Sequence, residues 1–516
     1  MSASHALPHP RTPADEDREL RERFGITPVL ARRQSWFAAW TAPFNIISVI
    51  TGVVGTLATG MAAGGPAALF WGWIVVSAFT LVVGVCMAEL ASSMPTAAAL
   101  YQWTSDLASP KRAPRWSHRV GWLNFLGLLG GVASVAYGGA ISLQALIALH
   151  WPSYSTSPTR TLWITAGLLA LYGLVNMLDI GRIGIVNKAS ALWLLGGTVF
   201  IAAALFLRPA HHQNVAFVLG HLVNETGFNA SWGGLYATAL VLNCGAYVYC
   251  GYDLAAHLSE ETRSAADTVP GAILRAIWVS AVAGVVLIGA LLFAIGDYNA
   301  ELGSSLGAAA QIFLDALGST WGQIALVVAF GAQVFCGVAV VTAASRQVFA
   351  FSGRNKAFPG HRWWSQVSSR TRVPVNAVWL SVALGFALTL PGLWGSTVLN
   401  NVVSINVIGL LPAYAVPIYL RLRHRDDRFV PGPWNRGAAG PWFARIALVW
   451  ITVACLVVVA PQASPITHKN FPYAGIALLG TLVIEQLWWW GRRRTYAAPI
   501  STMSAAQAAG IQDEMV

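Results

Sequence analysis

Few residues of this chain could do chemistry, and most of those that could lie in one short stretch. Asp253 ends the run Cys250-Gly251-Tyr252-Asp253, with Tyr247 and Tyr249 just before it and His257, Glu260 and Glu261 just after. A carboxylate among tyrosines suits an amine, through charge and through cation–π attraction worth roughly 0.5–2 kcal/mol. Tyr247 lies one helical turn before Gly251 and should face the same space, whereas Tyr249 reads as a packing or interface residue. Asp253 has three functional readings, as an amine ligand, a proton-carrying group or a gate. Against them stands a plain helix cap, since Asp is favoured at a helix N-terminus. His257 and Glu261 have i, i+4 spacing, but one such pair is not a metal site. The five Cys fall in apolar runs without CxxC spacing, so neither a disulfide framework nor zinc is expected. No catalytic residue, cofactor or metal is expected, and the absence of a GxxxxGK[ST] loop argues against direct ATP drive.

The elements that carry these residues belong in lipid. Of 516 residues, 56% are hydrophobic and 10% charged, where a soluble domain carries about 25% charge. The expected class is an all-α membrane protein with the bilayer as solvent. Twelve stretches are long enough to cross about 30 Å of hydrocarbon. They lie near 36–60, 67–91, 120–149, 161–179, 185–207, 232–258, 271–296, 321–350, 375–394, 397–420, 443–460 and 472–490. If the N-terminus is inside, all but Arg160, Arg208 and Lys469 of the 32 Lys and Arg fall on inner segments. That asymmetry argues for both termini on the cytoplasmic side. The net charge of +11 is spread over these connections, with no stripe interleaved with aromatics, which argues against nucleic acid. The expected organisation is a cytoplasmic tail over 1–34 with a short surface helix within Asp15–Arg23, a core over 35–422, two further spans with their preceding loop over 423–491, and a tail over 492–516.

Two spans are interrupted, at Ile50-Thr51-Gly52-Val53-Val54 and at Cys250-Gly251-Tyr252-Asp253. They are the first and sixth spans and enter the membrane from opposite sides, the relation of a five-plus-five inverted repeat, and paired interruptions of this kind mark a transporter's binding site. Backbone groups freed at membrane depth need a cavity, solute or ion. Amides at a half-helix N-terminus suit a carboxylate, and opposing carbonyls suit an ammonium group or a cation. The expected site is therefore Ile50, Thr51, Gly52, Val53, Val54, Tyr247, Cys250, Gly251, Tyr252 and Asp253. Gly127 and Gly131, at GxxxG spacing, read as helix packing. Glu89, His257, Glu260 and Glu261 read as solvated or loop-pairing groups, or as inner-gate partners of Arg263, Arg275 or Arg346. Lys188 reads as a snorkelling interface residue. Thr342 and Ser345 could offer hydroxyls to sodium, although such hydroxyls more often bond their own helix. Asn401, Ser404 and Asn406 are lesser candidates for the pathway.

Several spaced motifs resemble the amino acid–polyamine–organocation (APC) superfamily, and within it the amino acid/choline transporter family. They are Gly64-Gly65-Pro66 with Trp71-Gly72-Trp73, Ala88-Glu89-Leu90-Ala91-Ser92 with Pro95 to Trp103, and Gly251-Tyr252-Asp253 with His257, Glu260-Glu261 and Pro270. Ser345-Arg346 to Pro359 and Pro431-Gly432-Pro433-Trp434-Asn435 complete the set, which spans Asp17 to Trp489. Two places depart from the family pattern: Ala98-Ala99 stands for a glycine pair, and Arg354-Asn355-Lys356 for Arg-Asp-Gly. The resemblance implies a LeuT-like fold, alternating access and a small amine-bearing solute such as an amino acid, γ-aminobutyrate, choline or a polyamine, with a proton or sodium as coupling ion. A membrane enzyme would need more charge within the spans. An exchanger of the same solutes, a transceptor and a channel stay as alternatives.

Overall fold

The computed structural model describes residues 34–151, 153–178, 180–228, 230–353, 356–371, 373–394, 397–424, 429–467 and 470–493, together with 18, 21, 22, 24, 496, 498 and 499. Most of both tails, the greater part of Asp15–Arg23, and Arg354, Asn355 and Lys469 lie outside the described residues. Among those described there is no strand, only an isolated bridge between Gln34 and Thr262. Eight helical stretches are long and apolar enough to cross a membrane: Trp36–Ser93, Ala113–His150, Arg182–Leu207, Ala265–Phe293, Ala308–Gly353, Val375–Leu393, Val398–Arg423 and Gly437–Val459. The chain is therefore an α-helical, multi-pass membrane protein.

Helix α1 (Trp36–Ile47) starts where the Ser35 hydroxyl accepts the Ala38 N–H, and it stops at Ser48. Helix α2 (Val49–Ser93) begins at once and runs for 45 residues. It bends at Gly65, where φ 75° and ψ −170° are open to glycine and costly for other residues. The connection expected between the first two spans is thus a single-residue kink. The Gly64 carbonyl, freed from the helix there, is satisfied by Val223 N–H and the Ala62 carbonyl by Glu225 N–H, so the chain before the sixth span finishes the helix.

Next come α3 (Ala99–Leu107), a buried helix for which apolar span length gave no signal, α4 (Ala113–His150), α5 (Pro158–Asn176), α6 (Ile180–Leu207) and α7 (Val215–Gly220). Helix α8 (Ala230–Val248) is separated from the short α9 (Leu254–His257) by an irregular turn. Then follow α10 (Ala265–Phe293), α11 (Tyr298–Leu302), α12 (Ala308–Gly353, bent at Gly318), α13 (His361–Trp364), α14 (Val375–Thr389), α15 (Val398–Arg423), α16 (Gly440–Val459) and α17 (Tyr473–Arg492).

The polarity is that of a protein solvated by lipid. Leu207, Trp394 and Trp163 are 82%, 78% and 75% exposed, while Asn45, Asn124, Asp253 and His257 are buried. The most extensive packing joins α2 to α10 and α8, and α4 to α15 and α12. The α4–α15 seam is closed by small residues. A Cβ on Gly409 would strike the Gly127 backbone, and one on Gly130 would lie 2.5 Å from Asn406 N. Gly127 and Gly131 thus do pack helices, as their spacing suggests.

A candidate binding site at two helix breaks

The first break sits at Ser48, two residues before the expected run. Ser48 is wholly buried and left-handed, φ 34° and ψ 73°, a backbone that costs a non-glycine residue of order 1–3 kcal/mol. Gly52 is already helical, since its N–H reaches Ser48 O at 3.0 Å. The N–H groups of Val49, Ile50 and Thr51 lie ahead of that first helical bond, and no backbone carbonyl among the described residues accepts them. Ser48 Oγ and Thr51 Oγ1 are 2.7 Å apart.

The second break falls where the sequence suggests. Cys250 N–H bonds Tyr247 O and Leu254 N–H bonds Gly251 O, with Gly251 at φ 99°. The carbonyls of Tyr249, Cys250 and Tyr252 accept no backbone hydrogen bond among the described residues. Each glycine accommodates the flank of the other break. A Cβ on Gly251 would strike Ile46 of α1, and one on Gly52 would strike Val248 of α8. The two glycines are packing residues, and what they pack together is the pair of breaks.

Between the breaks lies a cavity of about 20 Å³, room for one or two waters. Thr51, Gly52, Tyr247, Cys250 and Gly251 line it, joined by Cys336 and Asn406. The structure does not bring Ile50, Val53, Val54, Tyr252 or Asp253 into this wall. Val53 faces a separate small cavity with Thr56 and Trp73. Asp253 is 1% exposed, and its Oδ1 accepts the Tyr414 hydroxyl at 2.6 Å. The same hydroxyl accepts Gly251 N–H at 3.3 Å, so Tyr414 ties the carboxylate to the break. Asp253 Oδ2 lies 3.3 Å from His257 Nε2. His257 Nδ1 is 3.0 Å from Ala97 O, which assigns it a hydrogen, and Asn124 Nδ2 stands 3.3 Å from Nε2. The Nε2 edge then faces both the Asn124 amide and the Asp253 carboxylate.

Beyond His257 the chain is latched by ion pairs. Glu261 Oε1 meets Arg346 Nε at 3.0 Å, and its Oε2 accepts Gln34 Nε2 at 3.1 Å. Glu260 accepts Ala97 N–H at 3.0 Å, and Glu89 pairs with Arg421 at 3.4 Å. Of Arg263, Arg275 and Arg346, it is Arg346 that pairs with Glu261 among the described ion pairs. The Thr342 and Ser345 hydroxyls reach carbonyls of their own helix, Val338 O and Thr342 O, and Thr342 also bonds Asn176. On the other side of the site is a wider vestibule of about 210 Å³, lined by Thr59, Glu225, Asn400, Asn401 and Ser404.

Ser48 and Tyr414 escaped the sequence reading. Ser48 adjoins no glycine or proline that would mark it, and Tyr414, between Pro412 and Pro417, reaches the break only through the packing of α15.

The sequence pattern of the amino acid permease family matches residues 37–483. The chain belongs to that family. Among curated proteins this permease is 33% identical to the amino-acid permease BAT1 of Arabidopsis thaliana over 498 residues, 93% of this chain and 96% of that one. It is 32% identical to the rice BAT1 homolog, covering 94% and 95%. To the GABA-specific permease of Saccharomyces cerevisiae it is 28% identical, covering 95% and 86%. The resemblance read from the motifs is thereby confirmed at the level of the family, and the permease is a transporter rather than an enzyme.

Proposed function

We propose that this permease is a secondary transporter of the cell membrane that moves a small amine-bearing solute by alternating access, with both termini cytoplasmic. Twelve spans follow if α2 supplies both the outer half of the first span and all of the second, and if α5, α8–α9 and α17 also cross. Spans one to ten, residues 35–422, then form the five-plus-five inverted repeat. Residues 423–491 add two spans, and 1–34 and 492–516 are the tails. The observation that carries this reading is the mutual packing of the two breaks around one cavity, with donors on one side and acceptors on the other. The names of the relatives support amino acids or γ-aminobutyrate as solute.

A proton is favoured over sodium as the coupling ion. Asp253 and His257 are buried side by side, with a tyrosine on the acid and no Lys or Arg among the described ion pairs to either. The Thr342 and Ser345 hydroxyls are engaged with their helix.

The purified full chain in liposomes should give saturable counterflow of a labelled amino acid, accelerated by an inward proton gradient. Asp253→Asn should flatten the pH profile, and Tyr414→Phe should cut uptake roughly tenfold by removing a hydrogen bond to a charged group, both in protein that remains monodisperse. Flux that rises linearly with concentration would sink the carrier. Drive by sodium but not by protons would sink the coupling assignment.

A further inference from the structure

Each polar side chain of the cavity wall is engaged in a hydrogen bond within the protein, and one side-chain carbonyl oxygen has none. Tyr247 donates to Ser134 Oγ at 2.9 Å, Cys250 to Ala246 O at 3.3 Å and Cys336 to Ile46 O at 3.2 Å. Thr51 shares a hydrogen with Ser48. Asn406, 5% exposed on α15, donates through Nδ2 to Gly127 O at 2.8 Å, while its Oδ1 is buried with no partner. A buried carbonyl oxygen without a donor is costly, and here it belongs to a residue that lines the cavity. The side chain is also fixed in place by the hydrogen bond its Nδ2 donates to Gly127 O and by the close approach of Gly130 and Gly131 to its own backbone and amide.

No ionised side chain lines the cavity among the described residues. Asp253, the nearest buried carboxylate along the chain, is held by Tyr414 and faces His257. A lone cation or a lone anion in this wall would lack a counter-charge. A zwitterion brings its own, with its carboxylate on the Thr51 N–H at the start of α2 and its ammonium on an acceptor.

We infer that Asn406 Oδ1 is the acceptor for the solute's ammonium, and that the site selects zwitterionic amino acids against choline and polyamines. This rests on the cavity being the solute site. The chemistry discriminates sharply. The quaternary ammonium of choline has no N–H to give Oδ1, and a polyamine has several charges and no carboxylate for the Thr51 N–H.

The test uses the full chain in proteoliposomes, with L-alanine, γ-aminobutyrate, choline and putrescine as probes in counterflow and in thermal-shift binding. Wild type should respond to L-alanine or γ-aminobutyrate and to neither of the other two. Asn406→Leu should raise the KM and Kd for the zwitterion roughly ten- to hundredfold, the loss of a hydrogen bond to a charged group. Asn406→Asp, of the same size but charged, should gain a response to putrescine. A purely structural role would lower stability without changing ligand preference, so the Asp variant decides the matter even if the Leu variant fails to fold. Unchanged zwitterion KM in Asn406→Leu, or tight wild-type binding of choline or putrescine, overturns the assignment while leaving the carrier intact. No saturable counterflow of any probe overturns the carrier and this assignment together.

Discussion

Lys356 and Ala99 hold left-handed backbone, φ 52° and 43°, at two positions where the family pattern carries glycine. An L side chain pays about 1–2 kcal/mol for that conformation, and glycine pays back about 0.5–1 kcal/mol through its looser unfolded chain. Lys356 is exposed, so Lys356→Gly should stabilise the protein by about 0.5–1 kcal/mol, seen as a higher melting temperature in detergent. Ala99 is fully buried, and Ala99→Gly gives up a methyl worth about 0.8 kcal/mol; its melting temperature should scarcely move. A lower melting temperature for Lys356→Gly would contradict the left-handed assignment. At this scale the sequence was legible where a residue type has a narrow use. Gly251 at a break and Tyr247 one turn before it are such cases. Ser48 was not legible, because a serine in a left-handed hinge differs locally in nothing from a serine in a helix. Asp253 stands out in the sequence as a candidate, but the direction it faces does not, since only the fold shows Tyr414 donating to its Oδ1 and His257 Nε2 lying 3.3 Å from its Oδ2.

At the scale of elements, apolar length gave the helices and polar length misjudged their joints. Gly64-Gly65-Pro66 reads as a loop in sequence, yet it bends one helix, because the segment after α7 supplies the backbone partners that water would supply in a loop. The connection between α10 and α12 contains an ionisable joint of its own. Glu301, on α11, is fully buried and accepts Gly296 N–H at 2.9 Å. Burial pushes its carboxyl up to about 7 from an ordinary 4.5, with Asp315 and Asp297 adding to the rise and the Gly296 N–H opposing it. The unfolded chain releases this proton near 4.5 and the folded one near 7, so this joint loses stability as pH rises from 4.5 through 7. Tyr298 Oη, three residues earlier, bonds Met61 O of α2 at 2.6 Å, which couples the joint to the first span. Hydrogen exchange over residues 294–307, corrected for intrinsic rates, should be faster at pH 8 than at pH 5. Glu301→Gln should remove the difference, and an equal difference in that variant would place the titrating group elsewhere.

The whole molecule presents its site through native probes. Cys250 and Cys336 both line the central cavity and are buried, at 5% and 2% exposure. A membrane-permeant thiol reagent should inactivate transport, a bound amino acid should slow it, and Arg346→Gln should quicken labelling by loosening the Glu261 latch. Labelling unaffected by either would mean that the latch does not control access. The α-helical, multi-pass class was the most legible level, because lipid as solvent constrains whole spans at once. The cavity contents were the least legible, since Asn406 reaches the wall only through the glycine seam between α4 and α15. The neutral wall also has an electrical meaning. A charge carried across the field is worth about 2.3 kcal/mol per 100 mV, and neither this cavity nor a zwitterion in it brings any. In the proposed cycle the solute then adds no net charge movement, and the current per solute moved reads the coupling ions.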